Sequence, residues 1–352
     1  MIENRKEEHI RIAEGKEVNA QHNFWDDITL IHRAMPEVDY DSIKTGIDFI
    51  GNRIDYPMII SSMTGGTELA KRINENLARA AEKFNIPMGL GSMRAAVERK
   101  ELAHTYSVIN NYKIPVKLAN IGAPQLIQQE KKALGEKDID YLLELIDAKF
   151  LIVHFNFLQE LIQPEGDRNA KGVMKRVKEL CSSYPIIAKE TGAGFSREDI
   201  DELVDCGVRA IDVGGLGGTS FAAIEYYRAE NTGDMEKTRA GKTFWNWGVP
   251  SPVSVSLGSG KTYTVGSGGL RSGLDLARAI AMGADAGGFA RTILDGADNS
   301  YEVLEKNIRT IIRELKTAML LTGSEDVSQL KSRNVIIHGA LREWMEQYVR
   351  KS

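Results

Sequence analysis

Eight short apolar runs, each closed by glycines or polar side chains and separated by longer helix-like stretches, constrain this chain more than any other feature. The runs are 57–61 (PMIIS), 86–90 (IPMGL), 116–120 (VKLAN), 150–155 (FLIVHF), 186–190 (IIAKE), 210–213 (AIDV), 263–267 (YTVGS) and 285–290 (DAGGFA). Between them, Glu68–Phe84 and 138–146 carry apolar residues at helical spacing. Arg197–Cys206 opens on acids and stops at Gly207, as a helix with a glycine C-cap does. Strand–helix alternation implies right-handed crossovers and one parallel sheet. Eight such units predict a closed (β/α)8 barrel, for which 352 residues suffice as a single domain with insertions.

The polar residues cluster where each run ends: 62–66 (SMTGG), 91–94 (GSMR), 120–122 (NIG), 154–160 (HFNFLQE), 189–190 (KE), 214–219 (GGLGGT), 268–271 (GGLR) and 290–291 (AR). In a barrel these ends share one face, where active sites lie. Two segments fall outside the rhythm. Residues 1–55 form a polar extension expected to wrap the outside or close over a site. Residues 229–262 read as a long Gly-, Ser- and Lys-rich loop after the sixth strand, a candidate lid.

Composition narrows the class. A formal net charge of −4 lacks the basic excess that nucleic-acid binding needs, so an anionic ligand must be held by local groups. The charged N-terminus is no signal peptide, and no apolar run approaches a membrane span. Cys181 and Cys206 have neither framework nor metal spacing, as expected of a cytoplasmic protein.

The clusters suggest chemistry. Gly268, Gly269 and Arg271, followed by Ala290 and Arg291, occupy the usual phosphate position of barrel enzymes, although a tight turn with a solvated arginine reads the same. The 214–219 glycines suit close approach to a flat ring or a phosphate, or simply a slack loop. Lys189 ends an apolar strand and should face an anion or an electron-rich ring, unless it forms a Schiff base. His154, Asn156, Gln159 and Glu160 make a dense polar group, with Glu160 an oxygen ligand for Mg2+. Arg5, Lys6 and His9 are either a diphosphate clamp or a solvated tail.

Together, RKEEH, SSMTGG, GSMR, ANIGA, HFNFLQE, KETGAG, DVGGLGGTS, WGVP, GSGGLRSG and GALREWM resemble the type 2 isopentenyl-diphosphate isomerases over nearly the whole chain. HFNFLQE followed by DVGGLGGTS is the specific part; GGLR is shared with other FMN barrels. The resemblance implies FMN binding by Ser62, Met63, Thr64, Ser92, Asn120, Lys189, Thr219, Gly268, Gly269, Arg271, Ala290 and Arg291. It places Arg5, Lys6, His9, Ser92, Met93, Arg94, His154, Asn156 and Gln159 around the substrate, isopentenyl diphosphate, and Mg2+ on Glu160. Gln159, Lys189 and Glu225 become the catalytic candidates. It further implies interconversion of isopentenyl and dimethylallyl diphosphate with reduced FMN as acid/base, NADPH as reductant, and a homotetramer or homo-octamer. One departure is local: where a longer amphipathic helix is expected after WGVP, residues 251–261 are short and poor in helix formers.

Rival readings remain at this point. An FMN-dependent 2-hydroxy acid oxidase or dehydrogenase shares GGLR but needs a histidine base before a late G-x-R, and the late histidine here is His338. A non-catalytic flavin-binding barrel would have no need of Gln159 or Glu160. A flavin-free lyase would use Lys189 as its Schiff base.

Overall fold

The computed structural model describes residues 2–163 and 166–350, with side chains from residue 6 onward. Eight parallel strands close into a barrel: β1 (Met58–Ile60), β2 (Met88–Gly89), β3 (Lys117–Gly122), β4 (Phe150–Phe155), β5 (Ile186–Glu190), β6 (Ala210–Asp212), β7 (Tyr263–Ser267) and β8 (Ala286–Phe289). Each pairs with its sequence neighbour, and β8 pairs with β1 to close the ring. The eight runs legible in the sequence are these eight strands.

Side chains alternate in and out along each strand. Ile59, Leu118, Ile152, Ile187, Ala210 and Val265 form one buried cluster filling the barrel. Neighbours one position away, such as Leu151, Val153, Ala188 and Ile211, belong instead to the larger cluster under the helices. Two residues beyond each interior position, toward the strand ends, come Ser61, Asn120, His154, Lys189, Asp212 and Ser267. The pleat thus places a polar layer on apolar ones.

The extension is ordered by contacts at both ends of the barrel. Residues 47–48 and 53–54 pair as a small antiparallel ribbon that seats Phe49 against Phe150 and Tyr263, closing the floor. At the mouth lies a 14-residue helix, Ile2–Gly15. A further strand, Ile28–Leu30, pairs antiparallel with Val335–Ile337.

Residues 229–262 differ from the expected loop. The Phe221–Thr232 helix runs into this stretch, and two more helices follow, Met235–Thr243 and Ser251–Gly258. The last is built from weak helix formers, but seven of its eight residues are buried. Packing therefore decides where propensity does not. Its serines are satisfied: Ser254 Oγ donates to the Phe195 carbonyl (2.7 Å) and accepts from the Phe195 N–H (3.1 Å).

Candidate active site

The polar strand ends border a cavity of about 1420 Å3 at the barrel mouth. Pockets for a single drug-sized ligand measure roughly 300–1,000 Å3, so this one has room for a large cofactor with a small molecule beside it.

Lys189 and Asp212 face each other across β5 and β6, where they are register partners. Lys189 Nζ lies 2.8 Å from Asp212 Oδ2 with both side chains almost wholly buried. Ser267 Oγ donates to Asp212 Oδ1 from β7. The lysine thus has an aspartate partner that sequence reasoning missed. A lone acid in the run AIDV was the signal.

On the neighbouring strands, Asn120 Nδ2 donates to the Leu90 carbonyl (2.9 Å), which turns Asn120 Oδ1 toward His154 Nδ1 (2.7 Å). Burial, reinforced by the Lys189 charge, pulls His154 down to about 4. The ring is therefore neutral near pH 7. Its Nδ1 proton is committed to Asn120, and Nε2 carries the lone pair. Asn120, expected to bind the cofactor, lines the cavity and also orients His154.

After β4 the Phe157–Ile162 helix carries the densest group. Asn156 Nδ2 lies 3.0 Å from Glu160 Oε1 and 3.3 Å from Gln159 Oε1. Glu160 Oε2 accepts from Gln163 Nε2 and from the Asp167 N–H (2.9 Å). Gln159 Nε2 donates to Glu225 Oε1 (3.0 Å), which His9 Nε2 also approaches (2.9 Å), while Arg228 Nη1 lies 2.6 Å from Glu225 Oε2. Burial opposes the Glu225 charge, but His9, Arg228 and Gln159 outweigh it and hold the carboxyl down to about 2. Glu225 is thus a buried anion behind the cavity wall, outside its lining, not a helix-surface glutamate.

Lys6 lines the cavity but spends its ammonium on the Gly65 carbonyl (2.8 Å), the Ser92 carbonyl (2.9 Å) and Tyr106 Oη (2.7 Å). Ser62, Met63, Thr64, Ser92, Thr219, Gly268, Gly269, Ala290 and Arg291 also line it. Besides Glu225, two expected residues lie outside the lining. Met93 is wholly buried in the core. Arg94 pairs with Glu98 (2.7 Å) and Asp167 (3.3 Å) outside the lining. Arg5 falls outside the described side chains.

Arg271 also departs from expectation. Its guanidinium binds Asp26 (2.5 and 3.0 Å) and Asp275 (3.0 Å), and these acids raise its pKa further. It ties the extension to the barrel at the edge of the cavity. The adjoining glycines both take positive φ, +88° and +87°. Trp25 Nε1 and Ser251 Oγ donate to the Gly268 carbonyl (2.9 and 2.8 Å), and Asn23 Nδ2 to that of Gly269 (2.8 Å). Beside this turn the Arg291–Asn299 helix begins without a side-chain cap.

Glu190, next to Lys189 but on the opposite side of the strand, is a second residue whose role the sequence concealed. Its Oε2 accepts the N–H groups of Gly192 (2.6 Å), Ala193 and Gly194 (2.9 Å). Burial still pushes its carboxyl up to about 7.

Comparison with known proteins places this site in a lineage. The FMN-dependent dehydrogenase family matches residues 3–105 and 249–337. The isopentenyl-diphosphate delta-isomerase of Thermoplasma volcanium is 60% identical, over 98% of this chain and 100% of that one. The chain belongs to the type 2, FMN-dependent isopentenyl-diphosphate isomerase family. Namesakes from Archaeoglobus fulgidus (44% identity, 97% of this chain, 98% of that one) and Pyrococcus furiosus (40%, 98% and 89%) extend this kinship. Solved structures of mandelate oxidase (TM-score 0.61, 19% identity, 94% of this chain and 95% of that one) share the fold alone. So does flavocytochrome b2 (TM-score 0.60, 19%, 89% and 77%).

The cavity of this isomerase-family chain fits FMN. Ser62 Oγ and Thr64 Oγ1 are buried in its wall without hydrogen-bond partners among the described residues, as hydroxyls awaiting a heterocycle would be. The uncapped Arg291–Asn299 N-terminus beside two left-handed glycines suits a phosphate.

Proposed function

We propose that this protein interconverts isopentenyl and dimethylallyl diphosphate. The observation that carries the reading is the constellation of Asn156, Gln159, Glu160 and His9 on the wall of the flavin-sized cavity, with Glu225 buried behind it and bonded to Gln159 and His9. A protein that merely held flavin would have no use for it.

Reduced FMN, when bound, supplies the acid/base group of the double-bond shift. The side chains support that division of labour. Glu225, held near pKa 2, has no proton to donate at neutral pH, and the His154 proton is committed to Asn120. Lys189 presents its ammonium to the cavity, where it favours negative charge on the bound ring. Gln159, fixed between Asn156 and Glu225, orients the alkene.

Glu160 would hold Mg2+. Among the described residues no set of three or more His, Cys, Asp or Glu side chains is grouped for a metal, so most ligands would come from the diphosphate and water, as Mg2+ commonly accepts. The buried Asn156 Oδ1, without a partner among the described residues, is a further oxygen in the same cluster. NADPH as reductant, a cytoplasmic location and a homotetramer or homo-octamer complete the reading. No helix among the described residues is long and apolar enough to cross a membrane.

Oxidase chemistry finds less support. His338, the late histidine, contacts Thr29 (3.2 Å) and does not line the cavity. The test is conversion of isopentenyl diphosphate by purified protein with FMN, Mg2+ and NADPH, omitting each in turn. Conversion that needs both FMN and reductant supports the proposal; a reducible flavoprotein with no conversion overturns it.

A further inference from the structure

Lys189 presents its ammonium to the cavity assigned to flavin, yet it does not act as a lone charge. Its partner Asp212 is 1% exposed and sits below the cavity. Lys189 and Ser267 line the cavity, whereas Asp212 does not. The pair is therefore a fixed dipole with its positive end toward the cavity. Three adjacent strands hold it: Lys189 on β5, Asp212 on β6 and Ser267 on β7, with Ser267 Oγ also accepting the Gly214 N–H (2.9 Å).

The geometry points to Asp212 as the positioning residue that sets how strongly the protein favours reduced over oxidised FMN. An oxidised isoalloxazine is neutral, and an ammonium buried beside it needs a counter-ion. Asp212 provides one. When reduction places negative charge on the ring, that charge competes with Asp212 for the same ammonium. Asp212 thus moderates the attraction of Lys189 for the reduced ring while keeping the lysine charged and aimed in the oxidised state. Take the carboxylate away, and the reduced ring becomes the best remaining partner.

This inference rests on the FMN assignment and needs no isoprenoid substrate, so it is tested apart from the proposed isomerisation. The experiment is dithionite titration of the FMN-loaded full-length protein against a reference dye, for wild type, Asp212→Asn and Asp212→Glu. Asp212→Asn should move the oxidised/reduced equilibrium at least tenfold toward the reduced form, about 30 mV for a two-electron couple. Asp212→Glu, which restores the charge, should return most of the shift. Ser267→Ala keeps both charges and guards against a folding failure in Asp212→Asn. With one donor lost, the carboxylate holds Lys189 harder, and the equilibrium should move the opposite way. An unchanged potential in Asp212→Asn overturns the proposal. If Asp212→Asn yields no flavoprotein, a Ser267→Ala potential unchanged or raised overturns it instead.

Discussion

A carboxylate as buried as that of Glu160 is costly unless donors answer its oxygens. Asn156, Gln163 and the Asp167 N–H do so, which keeps the anion in place before any cation arrives. Because none of these contacts reaches the walls assigned to flavin, Glu160→Gln should remove Mg2+-dependent turnover by roughly 100-fold or more while FMN stays bound. Turnover and flavin absorbance, measured on the same sample, check it; release of the flavin would refute the metal role. At this scale the sequence was informative about residue type and silent about pairing. Lys189 and His154 stood out as polar side chains ending apolar strands, and Glu160 as part of the polar group that follows one. Their partners Asp212, Asn120 and Gln163 are fixed by register and by local turns, which one strand read alone does not reveal. The partners of Arg271, which lines the cavity, were hidden for the same reason, since Asp26 and Asp275 come from the extension and from the next helix.

The eight strands and the helices around 68–84, 138–146 and 197–206 were legible because burial imposes a period, whereas the longest helix, Tyr301–Leu321, was not singled out. Their ends were legible because glycines and caps mark them: Asn85, Asp147 and Gly207 all stop helices in the left-handed conformation. The Ser251–Gly258 helix was hidden, its stability coming from burial that a weak local pattern does not announce. Two predictions belong to the connections. Gly268 adopts φ +88°, and a Cβ there would press into the Gly215 carbonyl. Gly268→Ala should therefore lose FMN and lower the melting temperature, at about 1–3 kcal/mol for the backbone conformation alone. Equilibrium dialysis of FMN and a thermal melt check this. Glu190, raised from 4.5 to about 7, favours the folded state while protonated. That contribution is complete below pH 4.5 and is lost as pH rises through 7. At about 1.4 kcal/mol per pH unit the alkaline loss is roughly 3 kcal/mol. Thermal melts should show stability decreasing between pH 4.5 and 7 in wild type and levelling off above, with that slope reduced in Glu190→Gln; an identical slope in both would exclude Glu190 as its source.

For the whole molecule, the barrel and the extension divide the work. The barrel supplies the interior layer from Ser61 to Ser267, whereas the Ile2–Gly15 helix reaches the mouth through Lys6, His9 against Glu225, Glu8 against Arg228 and Arg11 against Asp298. Removing residues 1–15 should leave a folded, yellow protein, because neither the strands nor the glycine turn depends on them. The same truncation should raise KM for isopentenyl diphosphate well above any change in FMN affinity, which steady-state kinetics beside a flavin titration would show.

The pairing of Ile28–Leu30 with Val335–Ile337 has a consequence for manufacture. On a ribosome adding about 5–20 residues per second, the first of these strands waits roughly 15–60 s for the second to be made. Until then Asn23 and Trp25, which brace the glycine turn, lack the anchor just downstream of them. The barrel, whose last strand ends at Phe289, has all its strands about 2–9 s before that anchor is made. Firm holding of the flavin is thus delayed until residues 335–337 have been made.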